Sequence, residues 1–114
     1  TLLKNTTQRN LLVIKVMNFI KRNYFKKIHL NDVADHIFVS PGHLNKTFKH
    51  ERGETVMQYL ENYRVSVAKK LLVYTHDSID EIAAHLSFCD QFHFSKTFKK
   101  RVGVSPTQYK KHHT

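Results

Sequence analysis

Residues that break or cross-link a chain are scarce in this 114-residue sequence, which has three Gly, two Pro and one Cys. So few breakers favour long helices over a turn-rich β-architecture. The single cysteine, Cys89, excludes an internal disulfide; we interpret it as an ordinary small buried side chain in a protein of a reducing compartment. No apolar run of about 18 residues and no secretory signal pattern is present, so we expect a cytoplasmic protein without a membrane partner.

Acidic residues are also few, because nineteen Lys and Arg face only nine Asp and Glu, a formal net charge of +10. Such an excess favours a polyanionic partner, nucleic acid before an anionic membrane surface. Simple solubility is the alternative, and charge alone does not decide between them. Hydrophobic residues make up 40% of the chain and include eight Phe and five Tyr, enough for one modest core.

The sequence repeats itself at a distance of about 50 residues. Residues 46–49 and 96–99 both read Lys-Thr-Phe-Lys, an offset of 50, whereas residues 30–34 align with 79–83 at an offset of 49. The second repeat has therefore gained one residue between its two halves. A turn tolerates such an insertion, but a helix would rotate its buried face by about 100°.

Each repeat has the pattern of a helix, a tight turn and a second helix. In the first repeat Leu30, Val33, Ala34 and Ile37 recur at i, i+3, i+4 and i+7, which makes one apolar face. We predict an all-α, homeodomain-like fold of seven helices, with two helix-turn-helix subdomains joined by a long linker helix. The predicted boundaries are 1–8 for a linker remnant, 9–54 for the first subdomain, 55–74 for the linker helix and 75–114 for the second subdomain.

Capping residues locate the ends of these helices. Polar caps are predicted at Ser40 and Asp90, capping boxes at Thr55/Gln58, Ser78/Glu81 and Ser105/Gln108, and left-handed ends at Gly53 and Gly103. The helix before the first unit is predicted over 11–24, with Val13, Val16, Met17 and Ile20 in its core. The linker helix is predicted to bury Val56, Tyr59, Leu60, Tyr63, Val67, Leu71 and Leu72.

The second helix of each repeat, over about 41–51 and 90–101, is the predicted DNA-reading element. Burial of Leu44 and Phe48, and of Phe94 and Phe98, leaves the opposite stripe facing outward. Amides pair with adenine, lysines donate to guanine, and apolar groups contact the thymine methyl. The residues assigned to bases on this chemistry are Asn45, Lys46, Gln91, Phe92, Ser95 and Lys96. Those assigned to phosphates are Ser40, Lys49, Lys99 and Lys100.

If the linker helix separates the two reading helices by about 34 Å, they meet successive major grooves on one side of B-DNA. One chain would then bind an asymmetric site without forming a dimer. From residue 95 onward the chain has six Lys or Arg and no acid, which supports one oriented basic face.

The segment 87–106 closely resembles the signature of the AraC/XylS family of bacterial transcription regulators, with phenylalanine, lysine, glycine and serine-proline at the family's spacing. Residues 30–72 are similar to the family's first unit, so the match covers about residues 11–111. The resemblance implies a two-lobed fold of seven helices, and promoter binding that often activates transcription through RNA polymerase. It also implies a missing N-terminal sensor or receiver domain that supplies any dimerisation. The base contacts it implies are Gly42, Asn45, Lys46, Gln91, Phe92, Ser95 and Lys96.

Three positions depart from the family pattern. Ser87 replaces a glycine, so a left-handed turn there costs about 1 kcal/mol. Gly42 stands where a large side chain is common, which weakens direct readout by the first helix. Lys110 replaces an arginine, keeping the charge but losing the planar fork.

Other classes of function are considered beside this one. Non-specific or RNA binding needs only bulk charge, but RNA readers usually carry aromatic platforms that are missing here. An enzyme is disfavoured because the nine His are scattered and form no recognisable metal set, so we predict no catalytic residue, metal or cofactor. A pure protein-interaction module stays open, and it predicts that neutralising Lys46 and Lys96 leaves function intact.

Overall fold

The computed structural model describes the backbone of residues 2–114 and the side chains of residues 7–114. All regular structure in this part of the chain is helical, which confirms the predicted all-α class with seven helices. The helices are α1 (Leu2–Asn23), α2 (Leu30–Ile37), α3 (Pro41–Arg52), α4 (Val56–Tyr74), α5 (Ile79–His85), α6 (Gln91–Val102) and α7 (Pro106–His113). None of these helices is long and apolar enough to cross a membrane.

Helix α1 begins at Leu2, well before the predicted start at residue 11. Residues 2–8, which we interpreted as a linker remnant, continue the helix, and Thr1 lies outside the described residues. No Gly or Pro precedes Pro41, and extending an existing helix is much easier than nucleating one. The polar composition of this segment was therefore a poor guide to the start of α1.

The chain forms two compact units. The first unit contains the residues up to 23 together with 27–61, and the second contains 24–26 together with 62–114. Helix α4, which matches the predicted linker helix, thus gives its first residues to the first unit and the remainder to the second. The linker helix is part of both cores.

In the first unit α1 packs against α2 and α3, and α2 packs against α3. The predicted core residues Val13, Val16 and Ile20 of α1 are buried, whereas Met17 is only half-buried and Leu12 is buried instead. The other buried apolar residues of this unit are Ile28, Val33, Ala34, Leu44, Phe48, Val56 and Leu60.

In the second unit α5 packs against α6, and α6 packs against α7. The core cluster consists of Val65, Ala68, Leu72, Ile82, Ala83, Leu86, Phe88, Phe94 and Phe98. One aromatic contact occurs in both units at the offset of 50: the rings of Phe48 and Tyr59 are 5.6 Å apart at 72°, and those of Phe98 and Tyr109 are 5.5 Å apart at 74°. The duplication therefore extends to packing geometry.

The buried face of α4 differs from the predicted one. Val65 and Ala68, which were not predicted, are buried, while Tyr59, Tyr63, Val67 and Leu71 are half-buried. The buried positions run 56, 60, 65, 68 and 72, so the spacing changes near residue 61, where α4 passes from the first unit to the second. A single helical period cannot describe a helix whose packing partners change along its length.

The short segment 24–26 belongs to the second unit because all three of its carbonyls accept hydrogen bonds there. Arg64 Nε donates to the carbonyl of Tyr24 at 2.8 Å, and Arg64 Nη2 donates to that of Lys26 at 2.7 Å. Ser87 Oγ donates to the carbonyl of Phe25 at 2.6 Å. Nothing in the sequence pattern pointed to these contacts.

Candidate nucleic-acid interface

The turn between the two helices of each unit contains one residue in the left-handed region. Ser87 has φ of 59°, as predicted, and Phe38 occupies the matching position with φ of 65°. The same backbone bond closes both turns: Val39 N–H donates to Ala34 O at 3.1 Å, and Phe88 N–H donates to Ala83 O at 3.0 Å. Both units thus contain a left-handed residue in this turn, and the sequence predicted it only at Ser87.

The extra residue of the second unit is Cys89. The offset is 49 up to Phe88, which matches Val39, and 50 from Asp90, which matches Ser40. Cys89 is exposed, so our interpretation of it as a buried side chain was wrong. An inserted residue in a turn has no place in the repeated core, and it projects into solvent.

The predicted caps fix where the reading helices start and stop. Ser40 Oγ accepts from His43 N–H at 3.2 Å, and Asp90 Oδ1 accepts from His93 N–H at 2.7 Å. Both helices end at a left-handed glycine, Gly53 with φ of 78° and Gly103 with φ of 97°. Helices α3 and α6 therefore lie within one residue of the predicted ranges 41–51 and 90–101.

Helix α3 has a buried back and a mostly open front. Leu44 and Phe48 are fully buried, while Gly42, Lys46 and Lys49 are exposed. A Cβ on Gly42 would meet no atom within 4 Å, so packing does not require glycine there. The outward face of α3 therefore has no side chain at Gly42, its first exposed position.

Helix α6 repeats this arrangement with a bulkier front. Phe94 and Phe98 are fully buried, and Thr97, which was not predicted, is 7% exposed. Phe92, at the position that matches Gly42, is 86% exposed. Of the other predicted contacts on α6, Gln91, Lys96, Lys99 and Lys100 are exposed and Ser95 is half-buried.

Asn45 has an intramolecular partner that the sequence did not reveal. Its Oδ1 accepts from the backbone N–H of Val56, the first residue of α4, at 3.1 Å, and its side chain is only half-buried. The matching pair in the second unit is Ser95 and Pro106. Because proline has no N–H, that unit needs no such acceptor. Bidentate pairing of Asn45 with adenine would need both ends of the amide, and one end is engaged.

Gln91 also has a partner within its own unit. Its amide group lies 2.6 Å from Oδ1 and 3.3 Å from Oδ2 of Asp80, and we assign the amide nitrogen to that side. The orientation follows from chemistry, because carboxylate oxygens accept hydrogen bonds and the amide nitrogen is the donor. Gln91 remains exposed despite this contact.

Charge is distributed unequally between the faces of the units. Helix α6 has four Lys or Arg and no acid, although one of them, Arg101, donates to Asn62 Oδ1 at 2.6 Å and is half-buried. The acids Asp80 and Glu81 lie in the first turn of α5. The Ser78 backbone N–H donates to Glu81 at 3.1 Å, and this bond, followed by the one with the Ser78 side chain, lowers the pKa of Glu81. Glu81 is thus part of the capping box at the start of α5.

Two helix-turn-helix units with basic outward stripes are therefore present, and the comparisons with known proteins agree. Residues 33–112 match a family model described as a helix-turn-helix domain. The chain is 33% identical over 95 residues to the bifunctional transcriptional activator/DNA repair enzyme AdaA of Bacillus subtilis, and 34% identical over 110 residues to the melibiose operon regulatory protein of Escherichia coli. The chain belongs to the AraC/XylS family. Within this family it is a DNA-binding domain of a transcription regulator.

The C-terminal domain of AraT, a response regulator from Geobacillus stearothermophilus, shares the fold of this AraC-family chain with a TM-score of 0.85 and 33% identity. The match covers 89% of this chain and 84% of that one. A transcriptional regulator with an AraC-type DNA-binding domain from Chromobacterium violaceum has a TM-score of 0.87 at 22% identity. The match covers 95% of this chain and 96% of that one, and at this identity it shows a shared fold only.

The chain spans less than half the length of the two curated relatives named above. It covers 45% of AdaA and 36% of the melibiose regulator, while 83% and 95% of its own length is aligned. What those proteins do as wholes is therefore carried partly by regions with no counterpart in these 114 residues.

Proposed function

We propose that this domain binds specific double-stranded DNA by placing α3 and α6 in successive major grooves, about 34 Å apart along the duplex. The observation that carries the proposal is the repetition of an outward stripe at the same positions of two duplicated helices, each with a fully buried back. A helix held by its buried side presents its front rigidly to a groove, and the net charge of +10 attracts the duplex.

Individual side chains then divide into two roles. Those facing base edges are Gly42, Asn45, Lys46, Gln91, Phe92, Ser95 and Lys96, and those facing phosphates are Ser40, Lys49, Lys99 and Lys100. Lys46 and Lys96 match each other in the two units and are both exposed, which suits donation to guanine O6 and N7. Phosphate contacts set the register of the domain and do not report sequence.

We further propose that the chain is the C-terminal output domain of a larger bacterial regulator that works in the cytoplasm. The partial coverage of its relatives and its likeness to the C-terminal domain of a response regulator support this proposal. Promoter DNA is then the principal partner and RNA polymerase a second one. An N-terminal sensor or receiver domain would supply any dimerisation, and activation is the mode we favour because several relatives are named activators.

The same proposal holds that this chain is not an enzyme. One relative, AdaA, is named a DNA repair enzyme as well as an activator, so the distinction needs a test. We expect that incubating the chain with bound duplex leaves the DNA chemically unchanged by mass spectrometry. A modified or cleaved strand would contradict this part of the proposal.

Selection of bound DNA from a random pool tests the main proposal. We expect a bipartite motif whose halves are about one helical turn apart. A salt series on the selected duplex and on a scrambled one should show higher affinity for the selected duplex at every salt concentration. Equal affinities would favour non-specific binding instead.

Two lysine variants separate the two roles. Lys96→Ala should lower affinity for the selected site by about 1–3 kcal/mol and relax preference at one base pair. Lys99→Ala should weaken binding uniformly over all sequences and reduce the salt slope by about one. No measurable loss on the selected site with Lys96→Ala would refute the base role of that lysine.

A further inference from the structure

Two of the base-facing residues are amides, and each has one end held inside its own unit. An amide carries a donor end and an acceptor end that differ in what they recognise on a base. When one end is engaged intramolecularly, the other end is the one left for the groove. The two units engage opposite ends, since Gln91 uses its nitrogen and Asn45 uses its oxygen.

Gln91 lies at the first position of α6, and Asp80 lies in the first turn of α5. Rotating the amide of Gln91 by 180° would bring its oxygen to 2.6 Å from a carboxylate oxygen, where two acceptors repel. The contact with Asp80 therefore selects one orientation, with the carbonyl oxygen of Gln91 directed away from Asp80.

We propose that these internal bonds set the base preference of both amides before DNA is bound, so that Gln91 presents an acceptor and Asn45 a donor. The inference rests on the proposed function, because it assumes that both side chains face base edges. In the major groove adenine N6 and cytosine N4 are donors, whereas guanine O6, thymine O4 and purine N7 are acceptors. Gln91 accordingly favours an adenine or cytosine at its position, and Asn45 favours a guanine or thymine oxygen or a purine N7.

Asp80 acts here as a positioning residue and needs no DNA contact of its own. The matching residue of the first unit is Asn31, which is exposed, and the position of Gln91 is occupied there by Pro41, which has no side-chain amide. Asn31→Ala is therefore a matched control for removal of Asp80. Both positions are the second residue of a short helix, so Asn31→Ala controls for the loss of a polar side chain there.

The test uses the whole chain and the duplex recovered by selection. Gln91→Ala first identifies the base pair whose preference disappears. The affinities of four duplexes that differ only at that pair are then measured for the wild type, Asp80→Ala and Asn31→Ala. We expect the wild type and Asn31→Ala to prefer adenine or cytosine by about tenfold. Asp80→Ala should reduce that preference to less than about threefold, because the amide is free to rotate.

A double variant that exchanges the carboxylate and the amide tests whether the base preference can be restored. In the double variant Asp80→Asn/Gln91→Glu both oxygens of the carboxylate at position 91 are acceptors, so an acceptor faces the groove in either orientation, and the amide at position 80 can donate to the other oxygen. This variant should recover the preference that the single Asp80→Asn change weakens. Recovery distinguishes orientation of Gln91 from a general role of Asp80 in helix α5, which the double variant would not restore.

The first unit allows an independent test of the same inference. Val56→Pro removes the N–H that engages Asn45 and reproduces the arrangement of Pro106, which is buried at the matching position. It should free the Asn45 oxygen to accept, which adds cytosine N4 to the groups recognised and lets the amide pair with both N6 and N7 of adenine. Thermal melting of each variant checks that the fold is retained.

The outcomes separate this inference from the proposed function. If Gln91→Ala abolishes the preference at one base pair while Asp80→Ala leaves it unchanged, the inference is overturned and the DNA-reading role stands. If no base pair responds to Gln91→Ala, the base role assigned to that residue fails, and the inference fails with it.

Discussion

The two reading helices share a buried apolar side and two outward lysines, but they differ at the matching exposed positions 42 and 92 of their outward faces. Leu44 and Phe48 in α3 correspond to Phe94 and Phe98 in α6, and all four are fully buried. On the front, Gly42 corresponds to Phe92, so one helix has no side chain at the position where the other exposes a phenyl ring. The duplicated units therefore keep an apolar buried side and the outward lysines at 46/96 and 49/99, and they differ at the exposed position 42/92.

The largest difference between the two fronts is expected in DNA binding. Phe92 is 86% exposed, and it becomes buried if it contacts a thymine methyl in the groove. Phe92→Ala should then weaken binding to the selected site by about 1.5–3 kcal/mol, as expected for a buried phenyl ring. Gly42→Ala, at the matching base-facing position, adds one methyl group that meets no other atom of the domain, so it should change affinity by much less. Equal losses for the two variants in fluorescence anisotropy would contradict the comparison.

The next difference concerns the acceptor for the first N–H of the following helix. Asn45→Ala leaves the part-buried N–H of Val56 without its partner and should lower the free energy of unfolding by about 1–2 kcal/mol. Ser95→Ala, at the matching position, should change it by less than about 0.5 kcal/mol, because Pro106 has no N–H to satisfy. Urea unfolding of both variants measures the contrast, and a larger loss for Ser95→Ala would reverse it.

The strained turns provide a third contrast. Phe38→Gly relieves about 1–2 kcal/mol of left-handed strain against roughly 0.5–1 kcal/mol of added chain entropy, so it should stabilise the protein by about 0.5–1 kcal/mol. Ser87→Gly gains the same relief but loses the 2.6 Å bond to Phe25, worth about 1 kcal/mol, so we expect little net change. The melting temperatures of both variants test this, and a destabilised Phe38→Gly would show that the exposed ring contributes to folding.

The smallest expected effect is the pH dependence that arises from Glu81. Its folded pKa lies below the ordinary value of 4.5, so its contribution is fully present above that pH and is lost as the pH falls through the lowered value. Glu81→Gln still accepts from the Ser78 N–H but does not titrate. The variant should therefore lose slightly less stability than the wild type between neutral and acidic pH, as measured by urea unfolding at several pH values.

The features that were predictable from the sequence are those that depend on residues close together in the chain. Caps such as Ser40 and Asp90, and the glycine ends of α3 and α6, depend on a few adjacent residues and were predicted correctly. The repeat located both reading helices because burial recurs with the helical period. The orientation of the Asn45 and Gln91 side-chain amides could not be predicted from the sequence. Each depends on a partner eleven residues away in the chain, and the helical period does not determine how close the two residues lie in space.

Errors arose where a segment has neighbours from elsewhere in the chain. Val65 and Ala68 were missed because α4 changes packing partners along its length. Phe38 was not recognised as left-handed because a bulky aromatic residue is among the least expected there. Cys89 was assigned to the core on the usual burial of cysteine, whereas the repeat itself identified it as the inserted residue.

The hydrogen bonds around residues 24–26 have a practical consequence for dissecting the molecule. A fragment that starts at residue 62 retains Arg64 and Ser87 but deletes the three carbonyls to which they donate. The second unit is thus discontinuous in sequence, and its minimal autonomous form is expected to require a peptide from far upstream. Supplying that tripeptide by a circularly permuted chain or a short fused linker should yield a better-behaved fragment than simple truncation.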